Sequence, residues 1–375
     1  DCVDRLRGYR WPRLGLVHAQ HRRLPNFLAG RIQASNGWTA GLNVGPGVLV
    51  TNVHLLAAHI DKLGPDTFDL MIVDEAYQLA AKDFMLVAHL ATRVMMVGDP
   101  GQLDPVIAAD TSNFEANEHK IHWSAPAYLL DRYPNTPIFG LPVTRRLLPE
   151  TSDLIQASFY PDLLFRSVVD PNDRRLRFAV RGMEPAIDQA LDAIARGASL
   201  VAVTVPGVSP AHEEADPEVA AVMAHLADRI LVRQSEWVGH RLLTEADIGC
   251  IDPHVIAGGA ISDRLRQSGR GNIRVETVER WQGLQMPISI VRHPLSRSGR
   301  PTGFDLEAGR WCVSLSRHQI GCIIVARETV TNVVRDYVHG CDTVAAGAKD
   351  STWSGFSAHR TIWNTLVDQG RIFAL

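Results

Sequence analysis

The chain has 375 residues, of which 46% are hydrophobic and 21% are charged, which is typical of a folded globular protein large enough for two domains. Its formal net charge of −3 excludes a protein that binds nucleic acid through its overall charge, although a local basic groove is still compatible with it. The five cysteines form no CxxC pair, so we expect reduced thiols. No apolar run reaches the roughly 18 residues of a membrane span and no signal peptide is recognised, so we expect a cytoplasmic protein.

The first part of the chain contains several apolar runs that end in polar turns. Residues 47–60 are predicted to form a strand, a turn and the start of a helix. Residues 70–73 and 94–97 are typical of buried parallel strands, and residues 79–90 are predicted to form the helix that connects them. A further strand is predicted in the sequence TPIFGLP at residues 136–142, followed by a helix that begins at PETSDLIQASF.

Strands and helices alternate along the rest of the chain. Strands are predicted at residues 199–205, 247–253, 273–278, 288–293 and 321–328. Helices are predicted at residues 185–196, 217–232, 259–267 and 331–339, and the end of the chain is predicted to form a loop and an amphipathic helix. This alternation predicts an α/β fold with mainly parallel sheets. We expect a first domain over residues 1–138, a second over residues 139–345 and a tail over residues 346–375.

Two carboxylates follow the predicted strand at residues 70–73, in the sequence LMIVDEAYQ. Ligands of open α/β sheets bind at the carboxyl ends of the strands. Asp74 is therefore placed to hold a magnesium ion and Glu75 to orient and deprotonate a water molecule. The alternative is a solvated acidic turn, because Asp and Glu often follow apolar runs.

The sequence VGDPGQLDPV ends the strand at residues 94–97 in a similar way. The two strand ends are predicted to be neighbours in one parallel sheet, so that their loops share a crevice. Gln102 is suited to sensing a terminal phosphate or to positioning water, and the alternative is a surface glutamine in a turn.

Arginines and a glutamine–glycine turn stand out in the second half of the chain. Arg146 lies in LPVTRRLLPE, and Arg317 lies in VSLSRHQIG between a predicted helix and a strand. Arginine provides the forked positive charge that phosphoryl transfer requires, although each of these residues alone is typical of a solvated arginine. The sequence VETVERWQGLQMP places Gln282 and Gly283 in a turn after Thr277.

Taken in order, these motifs resemble those of superfamily 1 helicases. DEAxQ, GDxxQLxP, an RxxP block followed by FY, TVxxxQG and LSR occur in the order of that family, within residues 48–328. The resemblance is to the branch of the nonsense-mediated-decay RNA helicase and related bacterial ATPases. It implies two recA-like P-loop NTPase domains, ATP and Mg²⁺ as cofactors, and single-stranded DNA or RNA as the partner.

The resemblance also implies a role for individual residues at the nucleotide. Asp74 matches the magnesium-binding carboxylate, Glu75 the catalytic carboxylate and Gln102 the phosphate sensor. Arg146 and Arg317 match the two arginines that reach the terminal phosphate.

Further positions match residues that bind the nucleotide or the strand. Gln78, Gly283 and Gln285 correspond to nucleotide-binding positions. Gln285 is a departure, because most relatives have glutamate there, and the amide removes a charge. Thr277 and Gln282 match the motif that links the nucleotide to the nucleic acid, and Thr51 matches a threonine that contacts the nucleic-acid backbone.

One motif of the family is missing. No G-x-x-x-x-G-K-[ST] sequence occurs, so the β- and γ-phosphates lack their backbone cradle and their lysine. The favoured explanation is that this loop, with a possible fused upstream domain, is encoded before residue 1. The alternative is a degenerate ATPase that has lost the loop.

Two stretches are candidates for contact with a single strand. Residues 9–23 are rich in arginine and histidine, and residues 292–303 form a loop with Arg297 and Arg300. Trp281 could stack on a base, but packing within the domain is the favoured interpretation.

Two other functions stay open at the level of the sequence. The first is a nucleic-acid-binding scaffold with an inactive nucleotide site, whose strand binding ATP would not change. The second is an ATPase that acts on protein partners, whose activity single strands would not stimulate.

Overall fold

The computed structural model describes residues 48–107, 111, 120–209, 215–297, 300–337 and 351–375, together with the backbone of two strands before residue 48. The chain divides into two compact units. The first comprises residues 1–99 and 104–136, and the second comprises residues 100–103 and 137–375. The domain boundaries expected from the sequence stay a prediction.

The first unit contains two parallel sheets. Its described strands are β1 Leu14–Val17, β2 Gln33–Ser35, β3 Val48–Val50, β4 Met71–Val73 and β5 Val94–Met96. The strand order is β2-β1-β3 in one sheet, and β4 pairs with β5 in the other. Its helices are α1 Val53–Ala57, α2 Ala81–Val87 and α3 Ala125–Arg132. The predicted strand–helix–strand unit at residues 70–97 is therefore present as β4, α2 and β5.

The core of the first unit is small. Leu56, Val87 and Leu90 are its buried hydrophobic cluster. The prediction that β4 and β5 are buried is wrong, because Ile72 is 61% exposed and Met95 is 52% exposed. A sheet of two strands cannot cover both of its faces in the way that a larger parallel sheet can.

The second unit is built around a six-stranded parallel sheet. Its strands are β6 Val143–Thr144, β7 Arg166–Ser167, β8 Leu176–Phe178, β9 Leu200–Val205, β10 Ser235–Trp237, β11 Arg241–Leu242, β12 Ile248–Ile251, β13 Arg274–Glu276, β14 Met286–Arg292, β15 His318–Arg327 and β16 Ile372–Ala374. The order in the large sheet is β13-β12-β14-β15-β9-β16, with every pair parallel. The predicted α/β class with mainly parallel sheets is confirmed.

Helices cover both faces of this sheet. They are α4 Pro149–Phe159, α5 Ile187–Ala195, α6 Pro217–Val232, α7 Val255–Gln267, α8 Val278–Trp281, α9 Ala308–Leu315, α10 Val330–Asp336 and α11 Ser351–Asp368. Alternate residues of a strand point to opposite faces. Val201 of β9 accordingly joins one buried cluster with Met223, and its neighbour Leu200 joins another with Trp311 and Trp363.

The end of the chain is part of this core. Phe356, Ile362 and Trp363 of α11 are buried, and β16 pairs with β9 as an additional strand. The helix was predicted from the sequence, whereas the strand was not.

The strand predicted at residues 136–142 is absent, and only Val143–Thr144 pairs in a sheet there. Ile138 is 72% exposed and Phe139 is 89% exposed. The prolines at both ends of TPIFGLP lack the N–H that a ladder requires, which explains why the segment does not pair.

The buried cysteines are free thiols. Burial raises the pKa of Cys250 and of Cys322 to about 12, so both stay protonated at neutral pH. Among the described residues, no helix combines the length and the hydropathy needed to cross a membrane.

Candidate functional site

The acidic turn after β4 brings together three residues predicted to act at the nucleotide. The backbone N–H of Glu75 donates to Asp74 Oδ1 at 3.1 Å, and Gln78 Nε2 donates to Glu75 Oε2 at 3.2 Å. Glu75 adopts a left-handed backbone conformation with φ of 50°. Such a conformation is uncommon for a residue with a side chain and is concentrated at functional sites.

The loops after β4 and β5 lie side by side, as predicted from the sequence. The N–H of Val97 donates to Val73 O at 2.9 Å, and the N–H of Ala76 donates to Val97 O at 2.9 Å. A Cβ on Gly98 would lie 3.0 Å from the nitrogen of Ala76 and 3.0 Å from the ring of Tyr77. Glycine therefore favours the close approach of the two loops, because a larger residue would require its neighbours to shift.

A further carboxylate, that of Asp99, belongs to this edge of the sheet. Burial raises the pKa of Tyr77, and the charge of Asp99 raises it further. Asp99 lies three residues after the end of the apolar strand β5, and this position after a strand is the signal in the sequence that marks it.

Magnesium fits the donor set of the acidic turn. Within the part of the chain that the structure describes, no group of three or more His, Cys, Asp or Glu residues forms a metal cage. Mg²⁺ does not need one, because one or two carboxylates, water and phosphate oxygens usually complete its octahedron. Asp74 provides a carboxylate at the strand end, with Glu75 next to it.

Three predicted motifs meet in the second unit. Arg146 Nε donates to Gln285 Oε1 at 3.2 Å, and Arg146 Nη1 donates to the carbonyl oxygen of Ser316 at 3.3 Å. The N–H of Met286 donates to the carbonyl oxygen of Arg317 at 3.0 Å. The RxxP block, the turn after the QG motif and the LSR motif thus share one location.

Arg317 itself is turned inward. It is 1% exposed, its Nε donates to Val313 O at 3.1 Å, and its Nη2 donates to Ser316 Oγ at 2.7 Å. The neighbouring His318 is fully buried, and its Nε2 lies 3.2 Å from Thr151 Oγ1. Burial lowers the pKa of His318 to about 3, and the charges of the two arginines add to the shift. The imidazole is therefore neutral.

Gln102 is held by the packing of its backbone in the second unit. A Cβ on Gly309 of α9 would lie 2.4 Å from the carbonyl oxygen of Gln102. A Cβ on Gly101 would lie 2.3 Å from the ring of Tyr160. Two glycines thus allow the segment around Gln102 to lie directly against α9 and against Tyr160, the residue after α4.

The coupling motif surrounds the short helix α8. Thr277 precedes the helix as its N-cap, Gln282 follows it, and Gly283 has a φ of 74° that favours glycine. Trp281 is 2% exposed, and its Nε1 donates to the carbonyl oxygen of Cys250 at 3.1 Å. The interpretation of Trp281 as a packing residue is confirmed.

The basic loop at residues 292–303 contains fewer surface arginines than its sequence indicates. Arg292 is 3% exposed and lies 3.7 Å from Asp252. Arg310, just beyond the loop, is buried in contact with Glu279 and Glu307. These two arginines form internal ion pairs and are not available to contact a nucleic-acid strand.

Arg297 and Arg300, the two residues of the loop predicted to contact nucleic acid, are more exposed. Arg297 Nη1 lies 3.5 Å from Asp305 Oδ2, and the same oxygen accepts from the N–H of Thr302 at 2.8 Å. The guanidinium of Arg300 lies 5.8 Å from the centre of the Tyr337 ring. Asp305 therefore anchors the loop that presents Arg297 and Arg300.

Thr51 lies directly between β3 and the N-cap residue Asn52 of α1. Its hydroxyl oxygen is buried and has no hydrogen-bond partner among the described residues. The side chains of the other candidate, residues 9–23, lie outside the described residues.

Buried charges line the carboxyl edge of the six-stranded sheet. Arg327, which ends β15, donates to Asp216 at 2.6 and 2.8 Å. Asp252 follows β12, and burial raises its pKa to about 6 although Arg292 opposes the shift. Their signal in the sequence is a charged residue directly at the end of an apolar strand.

No family model and no curated protein matches the chain. The chain is similar to the solved structure of arterivirus nonstructural protein 10, a helicase, in complex with DNA, with 14% identity, a TM-score of 0.40, and coverage of 89% of this chain and 52% of that one. A second structure of that arterivirus helicase gives 16% identity, a TM-score of 0.39 and coverage of 87% and 50%. The PRRSV helicase gives 15% identity, a TM-score of 0.38 and coverage of 76% and 38%. The chain spans about half the length of the first two, and its function is argued below from its own residues.

Proposed function

We propose that the chain forms part of an ATP-dependent motor of the superfamily 1 helicase type, in which two recA-like domains couple ATP hydrolysis to movement along single-stranded DNA or RNA. The observation that carries the proposal is the meeting of Arg146 with Gln285 and with the backbone beside Arg317. Arg146 contacts residues 139 and 170 positions away in the chain. Three motifs that resemble those of one family are thus combined at one location.

The acidic turn provides the hydrolytic chemistry in this proposal. Asp74 would hold Mg²⁺ directly or through water, and a bound ion would neutralise charge on the phosphate oxygens. Glu75 accepts a proton from the attacking water and orients it for in-line attack at the γ-phosphorus. Gln78 holds the Glu75 carboxylate through its amide, and Gln102 senses the terminal phosphate.

Arg146 stabilises the charge that develops on the departing phosphate. Its guanidinium donates to the amide oxygen of Gln285, which is neutral, whereas a glutamate at this position would add a negative charge. The amide therefore orients Arg146 without weakening its attraction for phosphate. Arg317 takes part as the second arginine when its guanidinium leaves its present acceptors, Val313 O and Ser316 Oγ.

Nucleic-acid contact is assigned to residues on both units. Thr51 and Thr277 donate hydroxyl hydrogen bonds to the strand backbone, and Gln282 with Gly283 connects that contact to the nucleotide. Arg297 and Arg300 contact phosphates from the loop at residues 292–303.

The phosphate loop is assigned to residues outside this chain. The open faces of β4 and β5 support this part of the proposal, because Ile72 and Met95 are apolar strand residues more than half exposed. Parallel strands of α/β proteins are normally covered on both faces. A further strand and helix that carry the loop would cover these residues.

Two measurements test the proposal. Residues 1–375 alone are expected to release phosphate from ATP only very slowly, and rapid turnover would contradict the assignment of the phosphate loop to other residues. The coding sequence upstream of residue 1 is expected to contain G-x-x-x-x-G-K-[ST] in frame. A start codon there without this motif would favour the nucleic-acid-binding scaffold.

A further inference from the structure

The second unit contains a small sheet that differs from every other described sheet. Strand β10 pairs antiparallel with both β8 and β11, whereas the other described sheets are parallel. Glu236 of β10 lies opposite Arg177 of β8, and the two side chains form an ion pair. This antiparallel sheet has no place in the function proposed above.

The segment that leads into this sheet is strongly basic. Residues 165–182 contain five arginines and two aspartates, in a chain whose overall charge is −3. Arg175, Arg177 and Arg181 are exposed. Of these, Arg175 and Arg181 form no ion pair with any carboxylate that the structure describes. Positive charge is therefore concentrated on one part of an otherwise slightly acidic protein.

A stack of flat side chains lies beside these arginines. The guanidinium of Arg174 lies 5.1 Å from the centre of the Trp237 ring, and the ring of His240 lies 4.4 Å from it at 39°. Trp237 Nε1 donates to the carbonyl oxygen of Asp173 at 2.7 Å, which restrains the orientation of the indole.

The stack borders an open cleft. The cleft has a volume of about 490 Å³, and its lining comprises Arg145, Arg174, Trp237 and His240 together with Val168, Val169, Asp170 and Asp173. A second cleft of about 430 Å³ is lined by Arg175, Arg177 and Arg233. Arginines thus contribute to the lining of both clefts.

We propose that the stack of Arg174, Trp237 and His240 with its cleft, which we call the arginine–tryptophan cleft, is an additional binding site for single-stranded nucleic acid. Single strands are bound by positive charge along the phosphates and by flat side chains on which bases stack. Arginine and tryptophan provide both interactions, because a guanidinium also stacks on aromatic rings. The site is additional to the strand contacts at Thr51, Thr277, Gln282, Arg297 and Arg300, and it does not depend on nucleotide hydrolysis.

The test is the affinity of the full chain for a fluorescent oligothymidylate of about 20 nucleotides, measured by anisotropy without nucleotide over a series of salt concentrations. Arg174→Ala/Arg175→Ala is expected to weaken binding on the order of 10-fold and to reduce the salt slope by about 1.4, at about 0.7 for each lost phosphate contact. Arg174→Lys/Arg175→Lys retains the charge and should retain the salt slope. The matched control is Arg264→Ala/Arg266→Ala on α7, which removes two exposed arginines elsewhere and should leave affinity unchanged.

Base stacking is tested by Trp237→Ala, with Trp237→Phe as the variant that retains an aromatic ring. The alanine variant should lose about 5-fold or more in affinity for the oligonucleotide, and phenylalanine should restore most of it. Inorganic polyphosphate, which has charge but no bases, should be bound equally by the wild type and Trp237→Ala. If Trp237→Ala has no effect on the oligonucleotide, the site is a general polyanion surface and the proposal is overturned.

One further variant separates this proposal from the proposed function. Arg297→Ala/Arg300→Ala removes the strand contacts assigned to the motor itself. If that variant loses affinity while Arg174→Ala/Arg175→Ala binds like the wild type, the arginine–tryptophan cleft is not a strand site and the motor assignment is unaffected. Circular dichroism and the melting temperature of each variant show that the comparison is made between folded proteins.

Discussion

Replacing Gly309 by alanine tests the packing that positions Gln102. The added Cβ would lie 2.4 Å from the carbonyl oxygen of Gln102 and 3.0 Å from the nitrogen of Leu103. The backbone around Gln102 would therefore have to move by about 0.6 Å or more to reach even a tight contact near 3.0 Å. Leu103 is 5% exposed, so that shift disturbs a packed side chain.

The two energetic effects of the substitution have opposite signs. Overpacking against backbone typically costs about 1–3 kcal/mol. Alanine stabilises a helix interior by about 1 kcal/mol relative to glycine. The net expectation for Gly309→Ala is a loss of about 0–2 kcal/mol, which lowers the melting temperature of a unit of this size by up to roughly 8 °C.

Gly259 provides the matched control, because it lies within α7 and a Cβ there would meet nothing within 4 Å. Gly259→Ala should raise the melting temperature, since only the helix preference changes. Differential scanning calorimetry of both variants and the wild type decides the question. Equal stabilisation by both substitutions would refute the close contact between α9 and Gln102.

Two further predictions concern buried charges. Arg327→Met should lower the free energy of unfolding by about 3–5 kcal/mol in a urea titration, because Asp216 would be left buried without its partner; a loss below about 1 kcal/mol would contradict this. The second prediction follows from three imidazoles whose pKa is lowered mainly by burial, with values of about 3 for the last two: His293, His318 and His359. Below the unfolded-state pKa of about 6.5, each of the three imidazoles binds a proton on unfolding. Asp252, whose pKa burial raises to about 6, releases a proton on unfolding and offsets one of them. As the pH is lowered from about 6 to about 4, the free energy of unfolding should therefore fall by about 3 kcal/mol per pH unit. Urea midpoints that do not change over this range would show that the imidazoles are not held neutral.

The strands and helices of the second unit are largely predictable from the sequence. Helix α6 has the bounds predicted for it, Pro217–Val232, because an apolar period follows a proline that favours a helix start. Strands β9, β12, β14 and β15 are covered on both faces and therefore appear as continuous apolar runs.

The antiparallel sheet and β16 escape such prediction for a physical reason. Strands β8 and β10 have three residues each and are rich in charge, so their pairing depends on contacts between segments almost 60 residues apart. Local periodicity contains no information on such contacts.

The same distinction applies to the candidate site. The adjacency of the loops after β4 and β5 follows from the parallel strands that the sequence indicates. The burial of Arg310 does not, because it depends on a contact with Glu279, which is 31 residues away. The neutral state of His318 likewise depends on its enclosure between α4 and α9. An arginine that the sequence suggests is free to bind a ligand can thus be held in an internal ion pair.

The most direct test of the proposed motor is phosphate release from ATP by the polypeptide that includes the upstream coding sequence, measured with and without single strands of about 20 nucleotides. We predict release that single strands stimulate, and a loss of at least about 100-fold in Glu75→Gln, whose side chain cannot accept the proton of water. The surface variant Asp61→Asn is the control and should match the wild type. Strand binding without any phosphate release, or release that Glu75→Gln leaves unchanged, would contradict the assignment of this chain to an ATP-driven motor.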